Sequence, residues 1–469
     1  MSAPTRPGEG RAPPRAALLA AAGAQHRRGA LAEAAALYRR VLALDPRDFD
    51  ALHMLGVVAA QRGDAEEAIG LLSAATDARP SSARARFNLG GALMAAGRLR
   101  EAIAAYDAAV ALEPGHAAAW TNRGTCMLRL GEATEAARSH ARAVALDPAA
   151  PEPRFNLSQA LLVAGRLEEA WPGYEARLRT AELAPHARHG DVARWDGGPC
   201  EGRRVLLHAE QGMGDTIHFA RYAPLLARRG AHVVLEAQAP LASLLSRLEG
   251  VAAVVVQDSP PPAVDLACPL PSLPLAFATT LATIPSPGGY LSADPARVAL
   301  WRERLGPALR PRVAIAWRGS AAHRNDASRS IDLARLAPHL PAGIEYLSLQ
   351  KDMRAGDAEA LRAIPGARDL GAALRDFDDS AALCVLADRV ACVDTSLAHL
   401  AGALGRPVDV LLPFAPDWRW LLGRRDSPWY ASATLHRQEA AGDWSAALES
   451  LGACLAALSG RKGPAASPA

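Results

Sequence analysis

The run VDTSLAHLAGALG, Val393 to Gly405, decides how the second half of the chain is read. DRVACV, Asp388 to Val393, is apolar enough for a buried strand, and Gly405 stands where a helix would stop. A strand opening at once into a helix places Asp394, Thr395 and Ser396 in the first helical turn, where unpaired N–H groups and the helix dipole favour an anion. Thr395 and His399 are four apart and share one helix face. Open α/β sheets take their ligands at such strand ends. Asp and Thr also cap helices with no ligand at all.

The same pattern extends outward. RVAIAW (312–317), IEYLSLQ (344–350) and PVDVLLP (407–413) are short apolar runs separated by helical stretches, and RVLLHA (204–209), HVVLEA (232–237) and VAAVVV (251–256) precede them. That alternation predicts parallel sheets in two doubly wound lobes, residues 204–300 and 310–436, with a cleft between them. The proline-rich VDLACPLPSLPLAF closes the first lobe, a helix is expected over 437–458, and 459–469 reads as a disordered tail.

In the first lobe, EQGMGDTIHFARYAPLL follows the first strand. Gly212 and Gly214 permit a tight turn and close approach by a ligand, but a dinucleotide fingerprint would need its third glycine at Ile217. Asp215 opens the helix, either as its N-cap or as a carboxylate able to take a proton from an attacking hydroxyl; the helix start would keep it ionised. In the second lobe, RGSAAHRNDASRS brings His323, Arg324 and Arg329 to a strand end, and Lys351 follows another. Arg324, Arg329, Lys351 and the Thr395–Ser396 helix start would together enclose a diphosphate. A helix terminus adds only about 0.3–2 kcal/mol and each charge-assisted hydrogen bond roughly 1.5–3, so the cations would supply most of the affinity. Asp394 repels phosphate and is aimed instead at sugar hydroxyls or the helix cap.

The N-terminal third is a repeat. Gly29, Gly63, Gly97, Gly131 and Gly165 are each 34 apart, as are Ala34, Ala68, Ala102, Ala136 and Ala170, and Pro46, Pro80, Pro114 and Pro148. A 34-residue period with glycine at a turn and alanine at a helix contact matches the tetratricopeptide repeat, five units over 16–180 in an α-solenoid, followed by a linker over 181–203. Asn88, Asn122 and Asn156 keep the same interval and predict an amide ladder for a polypeptide, or else a consensus residue with no ligand. Met54 interrupts the ladder.

Composition sets outer limits. The 469 residues carry 52 basic and 49 acidic side chains, +3 formally, with no run of like charge, so nucleic acid is not expected as a partner. Six scattered cysteines without a C-x-x-C pair fit a reducing compartment better than a disulfide framework. Residues 1–15, rich in Pro, Gly and Arg, read as disordered. Leu266–Ser292 lacks charge over a bilayer's length, but Pro269, Pro271, Pro274, Pro285 and Pro287 exclude a spanning helix. The expectation is a soluble, cytoplasmic protein without a membrane span.

The stretches HAEQGMGDTIHFARYAPLLARRG, HRNDASRSI, VDTSLAHLAGALGRPV and LLPFAPDWRWLL resemble bacterial proteins that join tetratricopeptide repeats to a domain similar to the lipopolysaccharide heptosyltransferases, over about 195–438. The resemblance implies a GT-B fold of two Rossmann-like lobes: an inverting, metal-independent glycosyltransferase with a nucleotide-sugar as donor and no cofactor. Asp215 matches the family's proposed general base, Arg329 a phosphate contact, and Asp394, Thr395, Ser396 and His399 the donor-binding helix start. Trp418 and Trp420 either stack on a base or pack between lobes. Repeats joined to a transferase imply a polypeptide acceptor, flagellin-like in related proteins, modified on Ser or Thr; a lipid or glycan acceptor and a non-catalytic scaffold are the alternatives. The chain departs from the resemblance at Asp332 in RSIDL, where proline is usual, and at Asp409, where an apolar residue is usual.

Overall fold

The computed structural model describes residues 14–184, 188–260, 262–321 and 325–459. The expected disorder of 1–15 and 459–469 therefore falls almost wholly outside the described residues, and so do His323 and Arg324. The chain divides into two compact units, Met1–Leu157 and Ser158–Ala469. The division lies short of the repeat boundary expected at 180.

The first unit is a ladder of helical hairpins: α1 (Arg15–Arg27), α2 (Leu31–Leu44), α3 (Phe49–Gln61), α4 (Ala65–Ala78), α5 (Ala83–Ala95), α6 (Leu99–Leu112), α7 (Ala117–Arg129) and α8 (Ala133–Leu146). The division falls inside α9 (Pro151–Val163). The periodic glycines do what their spacing predicts: Gly29, Gly63, Gly97 and Gly131 all have φ between +74° and +83°, the left-handed turn between hairpin helices. Ala34, Ala68, Ala102 and Ala136 are fully buried. A second periodic contact, glycine against a large ring, lies between the helices of a hairpin. A Cβ on Gly90 would come within 2.6 Å of the Tyr106 ring, and one on Gly124 within 2.8 Å of His140.

Among its described residues the second unit holds ten strands in two all-parallel sheets. Four of them, β1 (Arg204–His208), β2 (His232–Ala237), β3 (Val251–Val256) and β4 (Leu266–Pro269), are ordered β3-β2-β1-β4. The other six are β5 (Arg312–Ala316), β6 (Glu345–Ser348), β7 (Ala367–Asp369), β8 (Arg389–Val393), β9 (Val408–Leu412) and β10 (Ala433–Arg437), ordered β10-β9-β8-β5-β6-β7. Each sheet reverses direction beside its first strand, between β1 and β4 and between β5 and β8. Such switch points form crevices at the carboxyl ends of the strands.

β4, β7 and β10 were not expected. The proline-rich stretch supplies β4 and two short helical turns, Leu270–Ser272 and Leu273–Ala276. The last helix is Ser445–Ser459, because β10 occupies the start of the expected 437–458 span. Among the described residues no helix is long and apolar enough to cross a membrane. The six cysteines are free.

The last hairpin helix, α10 (Leu167–Tyr174), is built into this second unit. The Trp171 indole donates to the Thr279 carbonyl at 2.8 Å and meets Trp418 edge-on at 5.6 Å. Just beyond it, Arg177 is fully buried, paired in fork geometry with both Glu210 oxygens at 2.9 Å and bonded to Glu175 and Ser272. Both departures from the family pattern have local partners. Asp332 accepts from Arg318 at 2.5 Å; Asp409 is buried between Arg389 (2.8 Å) and His436 (2.9 Å). Cys454 completes a group of metal-ligand type with Asp409 and His436, but Arg389 holds the carboxylate there and donates to the Cys454 sulfur.

Candidate functional site

Two helix N-termini, one from each sheet's switch point, meet in the second unit. From β1 the chain turns through Gly212 into the helix Met213–Ala220. From β8 it turns through Asp394 into the helix Ser396–Ala403. A Cβ on Gly214 would lie 3.4 Å from the Ser396 Cα and 3.0 Å from the His399 Cδ2. A side chain there would be tighter than an ordinary contact, so the glycine eases the close approach of the two helix starts.

Two cap assignments need correction. Gly212, not Asp215, is the N-cap of the first helix; Asp215 sits three positions in and accepts the Gly212 N–H at 3.1 Å. That is the reciprocal half of a capping box. In the second helix Thr395 is the N-cap, its hydroxyl accepting the Leu397 N–H at 3.3 Å, so Asp394 stands before the helix and not in its first turn. The Thr395 oxygen is thus engaged with its own backbone.

Arg419 joins the acidic groups. It donates to Asp215 at 2.5 Å and to Asp417 at 2.9 Å, and its guanidinium lies 4.3 Å over the Trp418 ring. Burial pushes the Asp215 carboxyl up from its ordinary value while Arg419 pulls it down. Helix position therefore does not hold this carboxyl low as expected: burial dominates and the net direction is upward even with Arg419 beside it. Asp394 is pushed up to about 6, by burial first and then by the charge of Asp417, against the indole of Trp420 and the cations of Arg329 and Arg419. Arg329 donates to the Asp394 carbonyl at 3.0 Å. Its guanidinium lies on Gly319, where a Cβ would come within 2.5 Å of it.

His399 is buried, its Nδ1 2.9 Å from the Tyr430 hydroxyl and its ring stacked on Trp420 at 5.5 Å and 18°. Burial and the neighbouring arginines push its pKa well below the ordinary histidine value, so the ring is neutral. Trp418 packs against Trp171, Tyr174, His218 and Trp429. Lys351 is exposed after β6, and among the described residues no ion pair or hydrogen bond joins it to this cluster. Arg324 lies outside the described residues.

The structure thus gathers Gly212, Gly214, Asp215, Arg329, Asp394, Thr395, Ser396 and His399 at one place. It adds Arg419, Asp417, Tyr430 and His218. A signal for Arg419 was present, a cation between two tryptophans in WRW, as was one for Tyr430 in SPWY.

The amides of the repeat ladder are partly engaged within their own unit. Asn88 Nδ2 is 2.7 Å from His53 Nε2, and Asn122 donates to the Tyr106 hydroxyl at 3.3 Å. Asn88, Asn122 and Asn156 are all half-buried.

A tetratricopeptide repeat family model matches residues 53–110 and 87–151. The N-terminal helices are tetratricopeptide repeats. The chain is also 30% identical over 318 residues to Protein FlbA of Caulobacter vibrioides, an alignment covering 60% of this chain. The chain spans half the length of that relative. Solved structures similar to this chain include MamA (23% identity, TM-score 0.33, 35% of this chain and 97% of that one). Two others are a thermophilic tetratricopeptide protein of Thermus thermophilus (26%, 0.30, 36% and 92%) and YrrB, described as having an unusual peptide-binding site (22%, 0.33, 36% and 89%).

Proposed function

We propose that the second unit is a GT-B-type glycosyltransferase that moves a sugar from a nucleotide-sugar to a Ser or Thr hydroxyl, and that the repeats recruit the polypeptide carrying it. The observation that carries this reading is the meeting of two switch points at one cluster. Two helix N-termini and Arg329 offer positive ends to a diphosphate, and Asp215 offers a carboxylate. In the reaction the acceptor oxygen attacks the anomeric carbon and its proton passes to Asp215. The bond from that carbon to the phosphate oxygen breaks, and the electron pair leaves with the diphosphate. Tetratricopeptide repeats commonly hold extended peptide, which supports a protein acceptor, of the flagellin-like secreted kind, over a lipid or glycan.

A donor at 100 times its dissociation constant stabilises by about 2.7 kcal/mol. A thermal-shift screen of UDP-, GDP-, ADP- and CMP-sugars is expected to raise the melting temperature with one nucleotide class, and Arg329→Ala to abolish the rise. No shift with any donor overturns the reading. Asp215→Asn is expected to keep the donor shift while transfer to a Ser/Thr peptide falls about 10²- to 10⁴-fold; unchanged transfer removes Asp215 as base.

One observation favours a second reading, a binding scaffold. Asp215 is already neutralised by Arg419, and Arg329 already bonds a backbone carbonyl. Peptide binding without any donor shift selects the scaffold.

A further inference from the structure

We propose that His399 meets its substrate through an unprotonated Nε2, accepting a hydrogen bond from a hydroxyl, and that Tyr430, His218 and Arg221 fix this tautomer. The tautomer stands on geometry alone; the identity of the hydroxyl rests on the glycosyltransferase reading.

The Tyr430 hydroxyl lies 2.9 Å from Nδ1 of His399 and 3.1 Å from Nδ1 of His218. A hydroxyl has one hydrogen, so at most one of these rings receives it and the other must donate its own Nδ1–H. Arg221 decides which. Its Nη2 is 3.5 Å from His218 Nδ1, and its guanidinium lies 4.5 Å over the Tyr430 ring. Arginine has only donors, so the nitrogen facing it is the bare one. Tyr430 therefore donates to His218, and His399 donates Nδ1–H to the Tyr430 oxygen. Tyr290 also neighbours the Tyr430 hydroxyl, but its own hydrogen goes to the Ile217 carbonyl at 2.8 Å, so towards Tyr430 it can only accept; a Tyr430 hydrogen spent there would make both rings donate Nδ1–H and leave the His399 tautomer the same.

The other end of His218 agrees. Its Nε2 is buried with no hydrogen-bond partner among the described residues, in surroundings that include Trp429 (ring centroids 4.6 Å apart) and Phe219 (4.8 Å). An N–H gains weakly from aromatic faces, whereas a lone pair gains nothing.

A neutral His399 with its hydrogen on Nδ1 leaves Nε2 bare. That edge of the ring faces Gly214, where an added Cβ would sit 3.7 Å from Nε2. Gly214, with no side chain, is thus the immediate neighbour of this acceptor edge beside both helix starts. A bare nitrogen repels phosphate oxygen and suits a hydroxyl, which moves His399 away from the diphosphate role that the family resemblance implies.

The test is a nitrogen-15 imidazole spectrum of the full chain, with His399→Gln and His218→Gln assigning the signals. The expected result is a protonated Nδ1 and bare Nε2 at His399, with Tyr430→Phe shifting the ring towards the Nε2–H form. A protonated Nε2 in the wild type overturns the proposal, whatever the enzyme's activity. Titration calorimetry with His399→Ala then separates the sources of the hydroxyl. About tenfold weaker binding of the nucleotide-sugar, with the nucleoside diphosphate unaffected, places it on the donor sugar. Unchanged donor affinity with a raised peptide KM places it on the acceptor. Equal weakening of nucleotide-sugar and nucleoside diphosphate overturns the proposal. If the wild type binds neither, the spectrum still decides the tautomer, and it is the transferase reading that fails.

Discussion

The repeats and the α/β unit are both Arg-rich, yet they treat their charges in opposite ways. The ion pairs described within the repeats each keep a partner in solvent, as do Arg98 (40% exposed) and Glu101 (57%), three residues apart on one helix. In the α/β unit Arg177 and Glu210 are 0% and 2% exposed, and Asp409 and His436 are both fully buried. The repeats pack small residues against large at a fixed interval, and even where a carboxylate is buried, as Asp48 is, its cation Arg15 stays exposed. The α/β unit carries charge inside, where removing one partner strands the other.

The largest expected effect tests that contrast directly. Arg177→Ala leaves Glu210 buried without its cation and is expected to destabilise the α/β unit by about 3–5 kcal/mol, read from its urea transition. The control, Arg98→Ala on the repeat surface, is expected to change stability by no more than about 0.5 kcal/mol. Equal costs would erase the distinction between the two units.

Gly90→Ala probes the packing side of the comparison. A methyl 2.6 Å from the Tyr106 ring is expected to cost about 1–3 kcal/mol in the repeat transition, despite alanine's better helix propensity. Adding Tyr106→Leu should recover part of that loss.

The smallest effect concerns the cluster at the helix starts. Asp394 is lifted to about 6 in the folded protein, above its unfolded value near 3.9. Between those values the unfolded chain releases the proton first, so this group's contribution to stability falls as pH rises through the window and levels off above about 6. Asp394→Asn is therefore expected to gain melting temperature relative to wild type at pH 8 and to gain less at pH 4. His218 and His399, held neutral, act in the opposite direction below about 6.5 and are common to both proteins, so the difference isolates Asp394.

Period and local pattern carry far in this chain. The repeat was legible because each hairpin restates the same glycine and alanine, and seven strands were legible as apolar runs. β4 was masked by its prolines, β7 by being three residues long, and β10 (ATLHR) by its polar alternation. In the site, the glycines, Asp215 and the run from Asp394 to His399 were legible because each lies at a strand-to-helix turn. Arg419 and Tyr430 were not, because what makes them matter is a partner 204 and 212 residues away in the chain, Asp215 and His218. A cation or phenol in an aromatic run reads equally well as surface or as core until its partner is known.

The place of α10 bears on how such a chain changes over generations. Hairpins upstream of α9 share the same glycine and alanine positions at a 34-residue interval, so gaining or losing one whole unit would keep that spacing in frame. α10 is exempt. Its Trp171 belongs to the aromatic packing around Trp418, and Arg177 just after it is locked to Glu210. A duplication or deletion there would cut into the globule itself. A change of repeat number is therefore expected to be tolerated upstream of α9, while the final hairpin helix is tied to the α/β fold by its contacts.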